Sequence, residues 1–196
     1  MRIQTIYVFM ALIGAVLIGN VANAKDLMTP DSEIAVLDTS IGKIKIEFFP
    51  SAAPKHVENL KTLARKGFYD GVKFHRVIKG FMIQTGDPNS KDNDPTNDGG
   101  GNAGYQLKQE FNSISHKRGI VSMARRGDSV DSASCQFFIM HQDRPGLDNQ
   151  YTVFGRVIEG MDVVDKIASM PGQGEKPITP VVIKKVTIEK RSTSPK

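Results

Sequence analysis

The sequence predicts a mainly β fold, a closed antiparallel sheet with two helices at its ends. Three observations carry that reading. Short runs in which apolar and polar residues alternate recur along most of the chain. Only two stretches keep a helical period. Strands and helices do not alternate regularly, which argues against a parallel α/β sheet. No repeat or boundary interrupts the pattern, so one domain is expected at 33–190, with a short lead-in at 25–32 and a flexible tail at 191–196.

Residues 1–24 stand apart. Arg2, the apolar run 6–18 and Ala22-Asn23-Ala24 have the layout of a secretory leader with a small-residue cleavage point, so the mature chain is expected to begin near Lys25. The apolar centre falls short of the roughly 18 residues that a spanning helix needs, which makes a retained anchor the weaker alternative. The expected location is the periplasm, with secretion as the alternative.

Strands are expected at 34–39 and 43–48, the second because Ile44, Ile46 and Phe48 alternate with Lys43, Lys45 and Glu47. Pro54 suits the first turn of a helix whose apolar stripe is Val57, Leu60, Leu63 and Ala64, and Gly67 can cap its end. Further strands are expected at 74–77, 81–85, 119–124, 135–141, 152–157 and 181–189. A second helix fits 161–169, with Met161, Val164, Ile167 and Ala168 on one side and Pro171 as its stop. The polar stretch 89–104 carries no period and reads as a functional or a mobile loop.

Several function classes find no support. The formal net charge is +5, but charges of both signs are mixed along the chain and no basic cluster is interleaved with aromatics, so a nucleic-acid surface is not expected. Cys135 is the only cysteine, which excludes an internal disulfide, and its apolar surroundings read as those of a buried, inert thiol. Gly99, Gly101 and Gly104 match G-x-G-x-x-G, yet no strand precedes them and no helix follows. Asp92, Asp94 and Asp98 lack the spacing of a calcium loop. The four histidines, His56, His75, His116 and His141, are scattered without metal-ligand spacing, and no G-x-S-x-G occurs. No metal and no cofactor are expected. An enzyme built on this sequence needs a chemistry without cofactor or nucleophile.

One segment carries an anomaly: FHRVIKGFMIQTGD, residues 74–87, places the always-charged Arg76 among residues that otherwise read as core. This segment resembles the signature F-H-R-x-I-x-x-F-M-x-Q-x-G-D of the cyclophilin peptidyl-prolyl isomerases, and exported bacterial members in particular. Three later blocks resemble the same family in order: GIVSMA at 119–124, SCQFFI at 134–139, and Leu147-Asp148 with YTVFG at 151–155.

The resemblance spans 33–189. It implies an eight-stranded antiparallel barrel capped by two helices, and it implies a peptidyl-prolyl cis-trans isomerase that needs no cofactor and assists the folding of exported proteins. Its implied partners are proline-containing unfolded or partly folded exported polypeptides, with no nucleic acid and no stable membrane insertion, and it implies a monomer. Carried over residue by residue, Arg76 and Gln84 are the catalytic candidates, and Phe81, Met82, Gln136, Phe138, Leu147 and Tyr151 the substrate-binding ones. A non-catalytic proline-peptide module or holdase is the alternative. Gly146 stands where strong cyclosporin binders of the family usually carry tryptophan, and Arg125-Arg126 stand where small or polar residues are common.

The hairpin within the segment poses a register question. A two-residue turn at Lys79-Gly80 would set Arg76 opposite Ile83 and on the face away from Gln84, whereas the resemblance implies that the two are neighbours, so a longer loop or a bulge is expected there.

Overall fold

The computed structural model describes residues 23–191; most of the expected leader, up to residue 22, and the expected tail from residue 192 lie outside them. The elements in chain order are α1 (Ala24–Leu27), β1 (Glu33–Thr39), β2 (Gly42–Phe48), α2 (Pro54–Arg65), β3 (Arg76–Ile78), β4 (Met82–Thr85), β5 (Ile120–Met123), β6 (Phe137–Met140), β7 (Val153–Glu159), α3 (Met161–Ala168), β8 (Gly172–Gln173), β9 (Lys176–Pro177) and β10 (Ile183–Lys190). The large sheet runs β10-β1-β2-β7-β5-β6-β4-β3, and every ladder in it is antiparallel.

This eight-stranded sheet curls but does not close, which corrects the expectation of a closed barrel. β3 and β10 remain its two edges. Between them stand an isolated bridge, Lys73 with Val182, and hydrogen bonds such as Phe74 N–H to the Val181 carbonyl at 3.0 Å. The physical reason lies at β3, whose Val77 N–H donates to the carbonyl of Glu175 at 2.7 Å. The small β8–β9 hairpin thus takes the edge that β10 would have used.

The two expected helices form, and α1 adds a third among the described residues. α2 starts with Pro54 at its first turn, buries Val57, Leu60, Leu63 and Ala64, and is followed by Gly67 at φ +67°, a left-handed position that favours glycine. α3 buries Val163, Val164, Ile167 and Ala168. No helix among the described residues is long and apolar enough to cross a membrane.

Two clusters make up the core. The larger joins the sheet to α2 and α3, with Leu37, Ile44, Ile46, Phe48, Tyr69, Phe137, Ile139 and Phe154 among its members. The smaller contains Phe49, Met82, Ile114, Ile120, Phe138, Met140 and Val153, with Phe81, Leu147 and Tyr151 packed against it. Glu47, read from the sequence as a solvent-facing residue of β2, is instead fully buried. Its carboxylate is met by Arg156, which it faces across the β2–β7 ladder, and by Arg191 Nη1 at 2.8 Å.

Candidate active site

The β3–β4 hairpin brings the signature residues together. Its register pairs Arg76 with Gln84, Val77 with Ile83 and Ile78 with Met82, so the turn holds three residues, Lys79, Gly80 and Phe81. The longer loop expected from the sequence is present. Gly80, at φ +77°, supplies the left-handed residue that such a turn requires. The turn is held from both sides: Gly80 N–H donates to His141 Nδ1 at 3.0 Å, and Arg144 Nη2 donates to the Gly80 carbonyl at 3.0 Å.

A cavity of about 330 Å³ opens beside this hairpin, lined by Arg76, Phe81, Met82, Gln84, Phe138, Leu147 and Tyr151, and also by Ala124, Arg125 and Glu175. Its apolar floor follows from strand pairing. β6 lies next to β4 with Met82 opposite Met140 and Gln84 opposite Phe138, so Phe138 shares a face with Gln84 and hence with Arg76. Phe138 meets the Tyr151 ring edge-on at 5.5 Å, and the Arg125 guanidinium lies over the other aromatic wall, 4.7 Å from the Tyr151 centroid.

The polar rim is a relay of side chains. Arg76 Nη1 donates to Gln84 Oε1 at 3.4 Å, Gln84 Nε2 donates to Gln136 Oε1 at 2.9 Å, and Gln136 Nε2 donates to the carbonyls of Gly99 and Gly101 at 3.0 and 2.9 Å. The last link ties the relay to the 89–104 loop. That loop is pinned at its start and again at Gly99 by Asp87, the final residue of the signature, whose buried carboxylate accepts from Asn89 N–H at 2.9 Å and from Gly99 N–H. A Cβ on Gly101 would collide with the same carboxylate, so the close approach requires glycine.

All eight candidate residues therefore border one place: seven line the cavity, and Gln136 joins them through Gln84. Two supporting groups escaped the sequence reading. Glu175 contacts Arg76 directly, with Nε to Oε2 at 2.5 Å. His116 lies under the floor, stacked on Phe138 at 6.2 Å, where its Nδ1 meets Asp148 at 2.9 Å and its Nε2 meets the Ser122 hydroxyl at 2.9 Å. Asp148 also accepts from the His116 N–H and from Ser115, which braces the neighbouring Leu147. The pairing of Asp148 with an upstream histidine had no sequence signal, because 32 positions separate them. His75 is buried, and burial chiefly lowers its pKa, so the ring is neutral near pH 7.

Gly146 belongs to the short helical turn Pro145–Leu147, whose Leu147 lines the cavity. It is absent from the glycines with positive φ, and a Cβ built on it meets nothing within 4 Å. Beside it the Arg144 guanidinium covers the Phe81 ring at 5.6 Å.

Comparison with known proteins agrees with this geometry. A family model described as cyclophilin type peptidyl-prolyl cis-trans isomerase/CLD matches residues 34–188. A probable peptidyl-prolyl cis-trans isomerase of Brucella abortus (strain 2308) is 46% identical over 165 residues, covering 81% of this chain and 80% of that one. Peptidyl-prolyl cis-trans isomerase-like 3 of Gallus gallus is 41% identical over 157 residues, covering 78% and 93%. Among solved structures, a cyclophilin type isomerase of Cryptosporidium parvum, crystallised in the presence of the dipeptide Ala-Pro, superimposes with a TM-score of 0.72 at 32% identity, over 81% of this chain and 99% of that one. With the signature hairpin, the curled sheet and these relatives in agreement, the chain belongs to the cyclophilin-type peptidyl-prolyl cis-trans isomerase family and carries that family's enzymatic activity.

Proposed function

We propose that this isomerase acts on Xaa-Pro bonds of unfolded or partly folded exported polypeptides, and that Arg76 supplies the rate by stabilising the twisted bond without a covalent intermediate. The observation that carries the reading is the placing of Arg76, a permanently charged donor linked to Gln84, on the wall of a cavity whose floor is apolar. Rotation about a peptide bond meets a barrier of roughly 18–20 kcal/mol because the nitrogen lone pair is delocalised. In the twisted state that lone pair localises, the nitrogen becomes pyramidal, and a hydrogen-bond donor can reach it. A guanidinium cannot lose its proton near neutral pH, so its donor is always present. The bond it makes exists only in the twisted state, and each 1.4 kcal/mol gained there is worth about tenfold in rate.

The proline ring fits the floor of Phe81, Met82, Phe138 and Leu147, with Tyr151 as a side wall. Gln84 and Gln136 hold the rim, and Gln84 orients Arg76. The Cryptosporidium parvum relative, crystallised in the presence of the dipeptide Ala-Pro, supports a proline-containing peptide as the ligand class here. The test is Arg76→Ala in a proline-limited peptide assay with peptide affinity measured in parallel. Turnover is expected to fall by about 100-fold or more, the scale of losing one transition-state donor, while affinity is largely kept. Full turnover in Arg76→Ala would overturn the assignment.

Export rests on the leader at 1–24. Its cleavage point falls at the start of α1, a four-residue turn without buried side chains, which suits access by a peptidase. Intact mass of the native protein is expected to place the first residue at or near Lys25; a full-length species held in the membrane would exclude cleavage.

A further inference from the structure

Glu175 stands 99 positions from Arg76, in a part of the chain without a motif. It occupies the turn of the β8–β9 hairpin, next to Gly174 at φ +63°. Two contacts join this turn to consecutive residues of β3. Its carbonyl accepts from Val77 N–H at 2.7 Å. Its carboxylate accepts from Arg76 Nε at 2.5 Å and from Nη2 at 3.4 Å. The backbone contact fixes where the carboxylate stands, and the carboxylate fixes the plane of the guanidinium.

The hairpin is also tethered across the mouth. Lys176 Nζ donates to the Pro95 carbonyl and lies 3.5 Å from Asp98 Oδ2. Asp98 precedes Gly99, whose carbonyl accepts from Gln136. A closed polar circuit therefore runs from Glu175 through Arg76, Gln84 and Gln136 to the 89–104 loop, and back through Lys176.

The geometry favours orientation of the cation over cancellation of its charge. The carboxylate engages one edge of the guanidinium and leaves the remaining Nη hydrogens for Gln84 and the cavity. Both side chains are about half exposed, at 41% and 53%, so water screens their mutual attraction while the directional bonds persist. A lone arginine would otherwise spread over many rotamers, and fixing it in advance removes that entropy cost from the moment of reaction.

We propose that Glu175 is a positioning residue for the isomerisation: without touching substrate, it holds the Arg76 guanidinium in the orientation that meets the twisted proline nitrogen. The proposal rests on the reading of Arg76 given above. Glu175→Ala is expected to lower kcat by about tenfold with KM kept within about twofold, because the lost interaction serves the transition state alone. Glu175→Gln keeps an acceptor oxygen and the volume of the turn, and should recover part of that loss. In an Arg76→Ala background the Glu175→Ala change should cost nothing further, the coupling expected of a residue that acts through another. The Nε–H resonance of Arg76 should be sharp in the wild type and broadened in Glu175→Ala, while melting temperature and backbone amide spectra stay unchanged. Wild-type kcat in both Glu175 variants, or an equal loss with and without Arg76, would overturn the proposal. Full turnover in Arg76→Ala alone would remove the underlying reading as well, so the two failures are distinguishable.

Discussion

Phe137 and Ile139 of β6 belong to the large core under α2 and α3, whereas Phe138 and Met140, alternating with them on the same strand, belong to the small cluster under the cavity. Exposure does not separate the two faces, since Phe137 is 1% exposed and Phe138 5%. Their neighbours do. Phe137 packs edge-on against Tyr69 and Phe154, two other core rings. Phe138 packs against Tyr151 and His116, of which Tyr151 also lines the cavity. One face of this strand holds the fold together, and the other is half of a binding surface that has only protein on one side. A continuous apolar run in a sequence can thus hide two cores with different duties.

The largest effect should come from splitting that pair. Phe137→Ala is expected to cost about 3–5 kcal/mol of stability, the range for emptying a well-packed aromatic site. Phe138→Ala should cost less, because part of its ring surface faces the cavity, and it should raise peptide KM by about tenfold. Denaturant unfolding and steady-state kinetics on both variants check this; equal stability losses with an unchanged KM would erase the distinction between the faces.

Next in size is Gly146→Trp, which extends the cavity face alone. The backbone at Gly146 tolerates a side chain and the space beside it is open. We expect wild-type protein to bind cyclosporin weakly while turning over peptide, and the variant to gain about tenfold in inhibitor affinity, as a flat aromatic wall adds contact area. Calorimetric titration decides it, and tight binding by the unmodified protein would show that this position does not control the inhibitor.

A smaller effect separates the faces by pH. His116, beneath Phe138, has a pKa lowered chiefly by burial, against the opposing pull of Asp148. Burial likewise lowers His56, despite Glu110, and His75, despite Asp87 and Asp98. Their folded values lie below the ordinary 6.5, so on acidification the unfolded chain binds protons first. The stability present above that pH is therefore lost progressively below it. The urea midpoint should be lower at about pH 5.5 than at about pH 7.5, and His116→Gln should reduce that difference. A midpoint that rises on acidification would reverse the sign and refute the burial argument.

The smallest expected effect is at Cys135, which lies on the large-core side. Burial pushes its thiol up to about 12, so native protein should resist iodoacetamide at neutral pH and react once unfolded. Labelling of the native chain, read by mass, would mean that this face opens in solution.

Much of the fold and of the site was legible because it is local. Alternation in 43–48 and the 3.6-residue stripe of α2 mark their elements directly, and the family's pairing of Arg76 with Gln84 called for a longer loop or a bulge between their strands, where the structure has a three-residue turn. What stayed hidden depends on distant partners. Two-residue strands such as β8 and β9 are too short to show a period, so the edge they occupy, and with it the open sheet, could not be read. Glu175 and the buried state of Glu47 were missed for the same reason: a carboxylate looks solvent-facing until the arginine it meets is known. The 89–104 loop read as structureless, whereas Asp87 secures it at Asn89 and Gly99 with hydrogen bonds that carry no pattern in sequence.

The hydrogen bond from Val77 to Glu175 also bears on how this protein would meet the unfolded polypeptides proposed as its substrates. Unfolded polypeptides carry long rows of unsatisfied backbone donors and acceptors, and an uncovered strand edge beside the groove would invite them to add as an extra strand. Such a complex would be held by main-chain pairing along its length and would release slowly, whatever the speed of rotation at proline. By occupying the N–H that β3 turns outward, the β8–β9 turn removes that landing place. In the proposed mode of binding, the groove then holds its substrate by a proline ring and a few rim contacts, weakly enough to let go after each turnover.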